Sequence, residues 1–504
     1  MTARTAQAYA EFLELTKEIF YLQSAAGILG WDQQTMMPPG AAPLRGRQSS
    51  TLTGIIHDRL TSSRLAELIG ELRENAAALD PNAQVNAREM QRVTERARKI
   101  PRDLAQRISE TQILSQQSWI EAKQKSDFDL FAPWLEKMLA LRREEADAVG
   151  YEESRLDALL EDYEPYATAS QISEVFSALR PPLVELVQAI RESGVTPRRE
   201  IVRRRFPPER QKEFGLWAIR KFGFDFNIGR VDVSAHPMTV GNTTDVRLTT
   251  RFDEEYLPMS LFGLVHEAGH GMYEQGFEVD HQGTPRAMAV SLGIHESQSR
   301  MWENLVARSL SFWKYAFPYL QAFFPEQTRD VSLEEWYAAV NDVRPSLIRV
   351  EADEVTYNLH VILRFEIEKE LVEDRIKIAD LPALWNQRFQ DYLGIVPEND
   401  ARGVLQDIHW SIGLVGYFPT YALGNLYAAQ FFNTAQKEIP DLHERFAAGE
   451  FLTLREWLRT KIHAPGQTYR AGELVERVTG EPLDAKYLLT HLRQKFGSLY
   501  GNCC

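Results

Sequence analysis

The chain has 504 residues, 44% hydrophobic and 25% charged, with 57 basic against 71 acidic side chains and a formal charge of −14. This is the composition of a folded globular protein, long enough for about three domains or one large helical body, and its acidity disfavours a nucleic-acid partner. No apolar run approaches the ~20 residues of a membrane helix and the first residues lack a signal-peptide core, so a cytoplasmic protein with no membrane contact is expected.

In chain order, residues 6–29 carry Tyr9, Phe12, Leu13, Ile19, Phe20 and Leu22 at helical spacing and stop near Pro38-Pro39-Gly40. Charged amphipathic stretches follow at about 44–78, 82–100 and 102–125, the last two divided by Pro101. Segment 128–149 places Phe131, Trp134, Leu135, Met138 and Leu139 along one stripe. Pro181-Pro182 predicts the start of another helix, running to Gly194. The basic residues Arg198, Arg199, Arg203, Arg204 and Arg205 read as a solvated face paired with acids rather than an anion or partner site.

Between about 229 and 253 the texture changes to Val and Thr without helical period, which predicts one small sheet with a turn near Gly241-Asn242. Helical patterns resume over 258–278 and from 285 onward, with breaks at Pro325, Pro345, Pro382, Pro397 and Pro419. The two cysteines, Cys503 and Cys504, sit at the end of the sequence and exclude a disulfide framework or a Cys-based metal site. They read as a frayed tail rather than a prenylation signal. With no low-complexity tract or internal repeat, the expected fold is one mainly α body with a single small β-sheet before residue 258.

Residues 261–274, LFGLVHEAGHGMYE, contain HExxH at His266, Glu267 and His270. On a helix, positions i and i+4 share a face, so two imidazoles can reach one ion, with Glu267 beside the first as general base. The alternative is a pair of surface histidines. Upstream Leu261, Phe262, Leu264 and Val265 argue for burial, and a buried pair needs partners. Gly269 and Gly271 lower helix propensity, which close packing would explain.

A catalytic zinc takes three protein ligands and keeps one open position. The metzincin continuation fails, because Tyr273 and Gly276 stand where Gly and His are required. Glu274 lies one turn beyond His270, but three ligands along one straight helix cannot enclose an ion. Glu296, in SLGIHESQSRMWENL, is the better candidate on a returning helix, with pairing to Arg300 at i+4 as the alternative. His295 is then an outer-shell or substrate-facing residue.

These motifs resemble the carboxypeptidase Taq family of zinc metallopeptidases, which shares a helical fold and deep groove with neurolysin-like and angiotensin-converting peptidases. The resemblance rests on His236-Pro237, DVRLT from Asp245, HEAGH, HES at 295–297, IRVEAD from Ile348, and GVLQDIHW from Gly403. WDQ at Trp31 extends it to the N-terminal region. It implies a single catalytic peptidase domain over 1–504, with a helical part of about 1–225 and a catalytic part of about 226–504 on the two sides of the groove.

It further implies zinc, with cobalt or manganese as possible substitutes, on His266, His270 and Glu296, and Glu267 as catalytic acid/base. Single residues would leave peptide C-termini with broad specificity. The chain would act as a homodimer. His236, Arg247, Arg349, Gln406 and His409 would face the groove, with Arg247 or Arg349 as the fork for the terminal carboxylate. Tyr417 and Tyr421 follow His409, and Tyr421 is the expected oxyanion donor. Two departures stand out. Met238 replaces an aromatic ring after His-Pro, and Arg300 occupies the place where thermolysin-like enzymes carry an acid that orients a ligand histidine. The alternatives to a carboxypeptidase are an endo-acting oligopeptidase of the same class and an inactive peptide-binding scaffold.

Overall fold

The computed structural model describes residues 2–501, so Cys503 and Cys504 lie outside the described residues. The N-terminal apolar pattern forms one helix, Ala3–Thr35, which buries Phe12, Ile19 and Trp31. The 44–78 stretch is two helices, Ala42–Leu60 and Ser63–Glu74. Ser62 divides them by accepting from the Leu65 N–H and capping the second. Pro81–Lys99 and Arg102–Lys125 divide at Pro101 as expected.

Helix Ala169–Glu192 departs from expectation, because it runs through Pro181 and Pro182 instead of starting there. Its real start is a capping box of Thr168 and Gln171. Ile172, Phe176, Leu179, Leu183, Leu186 and Ile190 then form one buried stripe across the prolines. Burying those side chains contributes about 1.5–3 kcal/mol each, against about 3 kcal/mol lost per interior proline. Packing wins over propensity here.

The arginine-rich segment is the expected ion-paired face. Arg198 meets Glu200, Asp330 and Glu335; Arg199 meets Asp342; Arg204 meets Asp330; and Arg205 meets Glu254. Arg203 stacks on Tyr256, 4.4 Å from the ring centroid.

The β island is a three-stranded sheet of β1 (Gly229–Val233), β2 (Met238–Asn242) and β3 (Asp245–Thr250), in order β1-β3-β2. β1 runs parallel to β3, with Arg230 beside Arg247, and β2 runs antiparallel to it. Asn242 pairs with Asp245, so the turn is Thr243-Thr244, just past the expected dipeptide. Gly241 lies in β2 at φ +144°, where a Cβ would fall 2.0 Å from the Asp245 carbonyl oxygen.

A large apolar core runs from Ala122 to Tyr500, and residues between Ala8 and Met90 build a separate, smaller one. Val246 and Leu248 of β3 are fully buried and set the sheet against helix Leu257–Glu274. Among the described residues no helix is long and apolar enough to cross a membrane.

Candidate active site

Helix Leu257–Glu274 buries Leu261, Phe262, Leu264 and Val265, which turns His266 and His270 to its other face. Their ring centroids are 4.8 Å apart and nearly perpendicular. Gly269 permits the next step: a Cβ there would lie 2.6 Å from Ser299 Cα, so helix Leu292–Arg300 crosses in direct contact. Gly271 does the same against the sheet, where a Cβ would meet Leu248 and Val246 at 3.0 and 3.1 Å. A third helix, Pro419–Glu438, presses from the other side, and a Cβ on Gly424 would fall 2.4 Å from Glu296 Cγ.

The crossing helix is fixed at its start. Ser291 caps the Ile294 N–H, and buried Glu164 accepts from the Gly293 N–H, the Ser291 hydroxyl and the Tyr427 hydroxyl, each at 2.9 Å. Nothing in the sequence marks Glu164 for this task, because its partners lie more than a hundred residues away.

Glu296 is consequently buried against the histidine pair. Its Oε2 lies 3.5 Å from His266 Nε2 and 3.3 Å from His270 Nε2. The alternative pairing also holds, since Arg300 Nε donates to Glu296 Oε1 at 2.7 Å. One carboxylate thus meets the arginine with one oxygen and the imidazoles with the other. Burial opposes ionisation of Glu296, but Arg300 and the two histidines override it and hold its carboxyl well below the usual range. Burial pushes His270 down to about 3, leaving a neutral ring with a free lone pair. At His266 burial also disfavours the charge, but Glu296 and Glu303 outweigh it and raise the ring above its ordinary value.

Two of the three donor–donor distances meet a simple geometric test. Ligand atoms about 2.0–2.2 Å from one tetrahedral ion stand about 3.3–3.6 Å apart. The two distances from Glu296 Oε2 fall in that range, and the three ligand atoms lie within 4.8 Å of one another. Two imidazoles and a carboxylate suit a divalent cation of the zinc type.

The acid that orients His266 is Glu303, not a residue at position 300. Glu303 Oε2 lies 3.0 Å from His266 Nδ1, and Arg300 and Arg308 hold the carboxylate. Burial raises its pKa, but Arg300 and His266 override this and lower it to about 2. A signal was available: 296 and 303 are two turns apart on one face, although the segment Met301–Ala307 is π-helical. His295 bridges His270 and Glu274, with its Nδ1 2.6 Å from His270 Nδ1 and its Nε2 3.0 Å from Glu274 Oε1.

Glu267, next to His266, is buried, and burial raises its carboxyl above the ordinary value. Thr239 of β2 donates to its Oε2 at 2.7 Å. Thus the sheet orients the acid, a partner no motif identified.

The remaining expected residues separate into two groups. Arg349 is buried, binds Asp407 through Nε and Nη2 at 3.0 and 2.9 Å, and donates to Tyr357 at 3.1 Å. Arg364 grips the same Asp407 at 2.6 Å. Arg349 also lies 4.8 Å from the Tyr421 ring, and the Tyr421 hydroxyl is 3.2 Å from His409 Nε2. Burial keeps Tyr417 and Tyr421 above the ordinary phenol range and His409 at about 3, so all three are neutral.

Gln406 presents no free amide. Its oxygen accepts from the Arg349 N–H, and its nitrogen donates to the carbonyls of Leu347, Arg402 and Gly403, so it braces this wall. His236 is exposed in the β1–β2 loop, where its carbonyl accepts from Ser234. Arg247 is charge-paired: Asp245 accepts from its Nε and Nη2 at 2.9 and 3.0 Å, and its guanidinium stacks on Trp31 at 4.6 Å.

Fold and site together are those of a metal-dependent peptide hydrolase of the helical HExxH type. The profile of the carboxypeptidase Taq (M32) metallopeptidases matches residues 11–496. Thermostable carboxypeptidase 1 of Thermus thermophilus is 43% identical, covering 98% of this chain and 99% of its own. Carboxypeptidase 1 of Bacillus subtilis is 38% identical, covering 97% and 98%. The crystal structure of the M32 carboxypeptidase from Deinococcus radiodurans superposes with a TM-score of 0.95 at 39% identity, covering 98% of this chain and all of the other. The chain belongs to the carboxypeptidase Taq (M32) family, and it is with that family a metallocarboxypeptidase.

Proposed function

We propose that this protein uses zinc on His266, His270 and Glu296 to release single amino acids from free peptide C-termini with broad specificity. The carrying observation is the placement of Glu296 Oε2 at 3.5 and 3.3 Å from the two imidazole nitrogens. Cobalt or manganese would satisfy the same donors. A divalent ion there supplies the Lewis acidity that activates water and polarises the scissile carbonyl.

The chain's own groups do the rest. Glu267 takes a proton at its carboxylate during attack and gives it to the leaving amine. Its raised pKa suits both halves of that task, and Thr239 keeps it aimed. Tyr421, with Tyr417 beside it, is a neutral hydroxyl that can donate to the developing oxyanion.

The terminal carboxylate goes to the Arg349 side rather than to Arg247. Two guanidiniums share Asp407 there, a surplus of one positive charge (two minus one), whereas Arg247 is neutralised by Asp245. Gln406 and His409 brace that wall, and His236 stands further out, in the exposed β1–β2 loop. Family likeness extends this reading to a homodimer in the cytoplasm, and light scattering at the mass of one chain would remove the dimer.

Mass spectrometry of a free-ended peptide is the test, and a ladder losing one C-terminal residue at a time is expected. Efficient cleavage of a C-terminally amidated peptide would favour an endopeptidase instead. Failure to bind about one zinc equivalent would favour a scaffold.

A further inference from the structure

The two imidazoles that face Glu296 are braced in unlike ways. His266 Nδ1 meets a carboxylate directly, at 3.0 Å from Glu303. His270 Nδ1, among the described residues, meets no carboxylate. It lies 2.6 Å from His295 Nδ1, and His295 Nε2 lies 3.0 Å from Glu274 Oε1. The His295 carbonyl is also within 3.1 Å of His270 Nδ1.

Two ring nitrogens that close must share one proton, because two N–H groups would collide and two lone pairs would repel. The rest of the argument stands on the metal site proposed above. With the Nε2 lone pair of His270 given to the ion, its proton is on Nδ1, and His295 Nδ1 must accept it. The proton of His295 is then on Nε2, directed at the Glu274 carboxylate. Every donor meets an acceptor in this arrangement and in no other tautomer of His295.

We infer that Glu274 and His295 form a positioning relay that fixes the tautomer and ring plane of His270 at the metal. The covalent connections close it into a ring. Glu274 is one helical turn from His270, His295 is adjacent to Glu296, and donor atoms of His270 and Glu296 lie within 4.8 Å of each other. This accounts for an acid at 274, a position whose geometry is wrong for a ligand. Glu274 also borders a cavity of about 250 Å³ between the N-terminal helix and the β2–β3 hairpin. It can therefore be changed without opening the core.

Metal affinity is the decisive readout, because it reports on the relay apart from turnover. Zinc affinity and release rate are measured by chelator competition for the wild type, E274Q, E274A, H295Q and H295A, with urea unfolding of each metal-free protein alongside. E274A and H295A should weaken zinc about 10–100-fold and speed its release. E274Q keeps an acceptor oxygen and should lose less than about tenfold, and H295Q should partly restore what H295A loses, since its amide oxygen can accept from His270. E274Q should unfold with the wild-type midpoint. In the zinc-loaded protein, ¹⁵N spectra of the rings should show His295 protonated at Nε2 and bare at Nδ1.

Wild-type zinc affinity and release in E274A and H295A, or a His295 protonated at Nδ1, would overturn the relay while leaving the metal site intact. A wild-type protein that takes up no zinc would overturn both.

Discussion

Two buried charge clusters sit side by side and share Tyr357. Arg300 lies 4.3 Å from its ring, and Arg349 donates to its hydroxyl. The first cluster gathers Glu267, Glu296 and Glu303 against Arg300 and Arg308, a surplus of one acid (three minus two). The second gathers Arg349 and Arg364 against Asp407, a surplus of one base (two minus one). Each excess is complementary to a group in the proposed reaction, a cation in one case and the substrate's terminal carboxylate in the other. Buried charge left unbalanced in this way marks a ligand site, whereas the exposed Arg198–Asp330 network is already satisfied and carries none.

The sharpest way to break the comparison is inside the acidic cluster. Glu267→Gln keeps size and polarity but cannot take the proton. The turnover number should fall about 10³-fold, the range for a positioned acid/base, while zinc content by elemental analysis stays at the wild-type value. Near-normal turnover would remove Glu267 from the chemistry. Arg349→Gln tests the basic cluster. It should cost about 10²-fold in kcat/KM on free-ended peptides, mostly in KM, as expected for losing a charge-assisted fork worth about 1.5–3 kcal/mol. An equal loss on amidated peptides would place its role elsewhere.

Glu368 probes how the basic wall is stabilised. Burial raises its carboxyl to about 8, with the Trp410 and Gly416 N–H groups opposing. The folded state therefore holds a proton that the unfolded state releases near pH 4.5. Between those values the folded protein binds more protons, so stability falls as pH rises. From pH 6 to 8 the wild type should lose about 2 kcal/mol relative to Glu368→Gln, measured by urea unfolding at each pH. Parallel pH profiles for the two proteins would refute the neutral carboxyl. The smallest effect is expected at Arg247→Gln, below about tenfold in kcat/KM, because Asp245 already neutralises that charge. A loss matching that of Arg349→Gln would reverse the assignment of the two arginines.

How much of the site could be read in advance depends on how far apart its parts lie in sequence. The shared face of His266 and His270 was legible because one helical turn fixes it, and the approach of Glu296 followed from the return of the chain. Glu303 carried a signal two turns from Glu296, on the same face. Thr239 and Glu164 carried none, since each acts on a group brought near only by tertiary packing; Asp407 lies inside the GVLQDIHW motif, but nothing there names Arg349 and Arg364 as its partners. Helix Ala169–Glu192 makes the same point for the fold. Local rules start it at Pro181, but burial of the stripe from Ile172 to Ile190 carries it through.

By itself the sequence determined the helical body, the sheet island and the HExxH pair, since each follows from a period or a spacing along one stretch of chain. Only the tertiary structure decided which oxygen of Glu296 turns to the imidazoles, which arginine keeps an unbalanced charge, and how His270 is braced. Those outcomes depend on close approaches at Gly269 and Gly424 and on counting charges within a few ångströms, and neither is a property of any single segment.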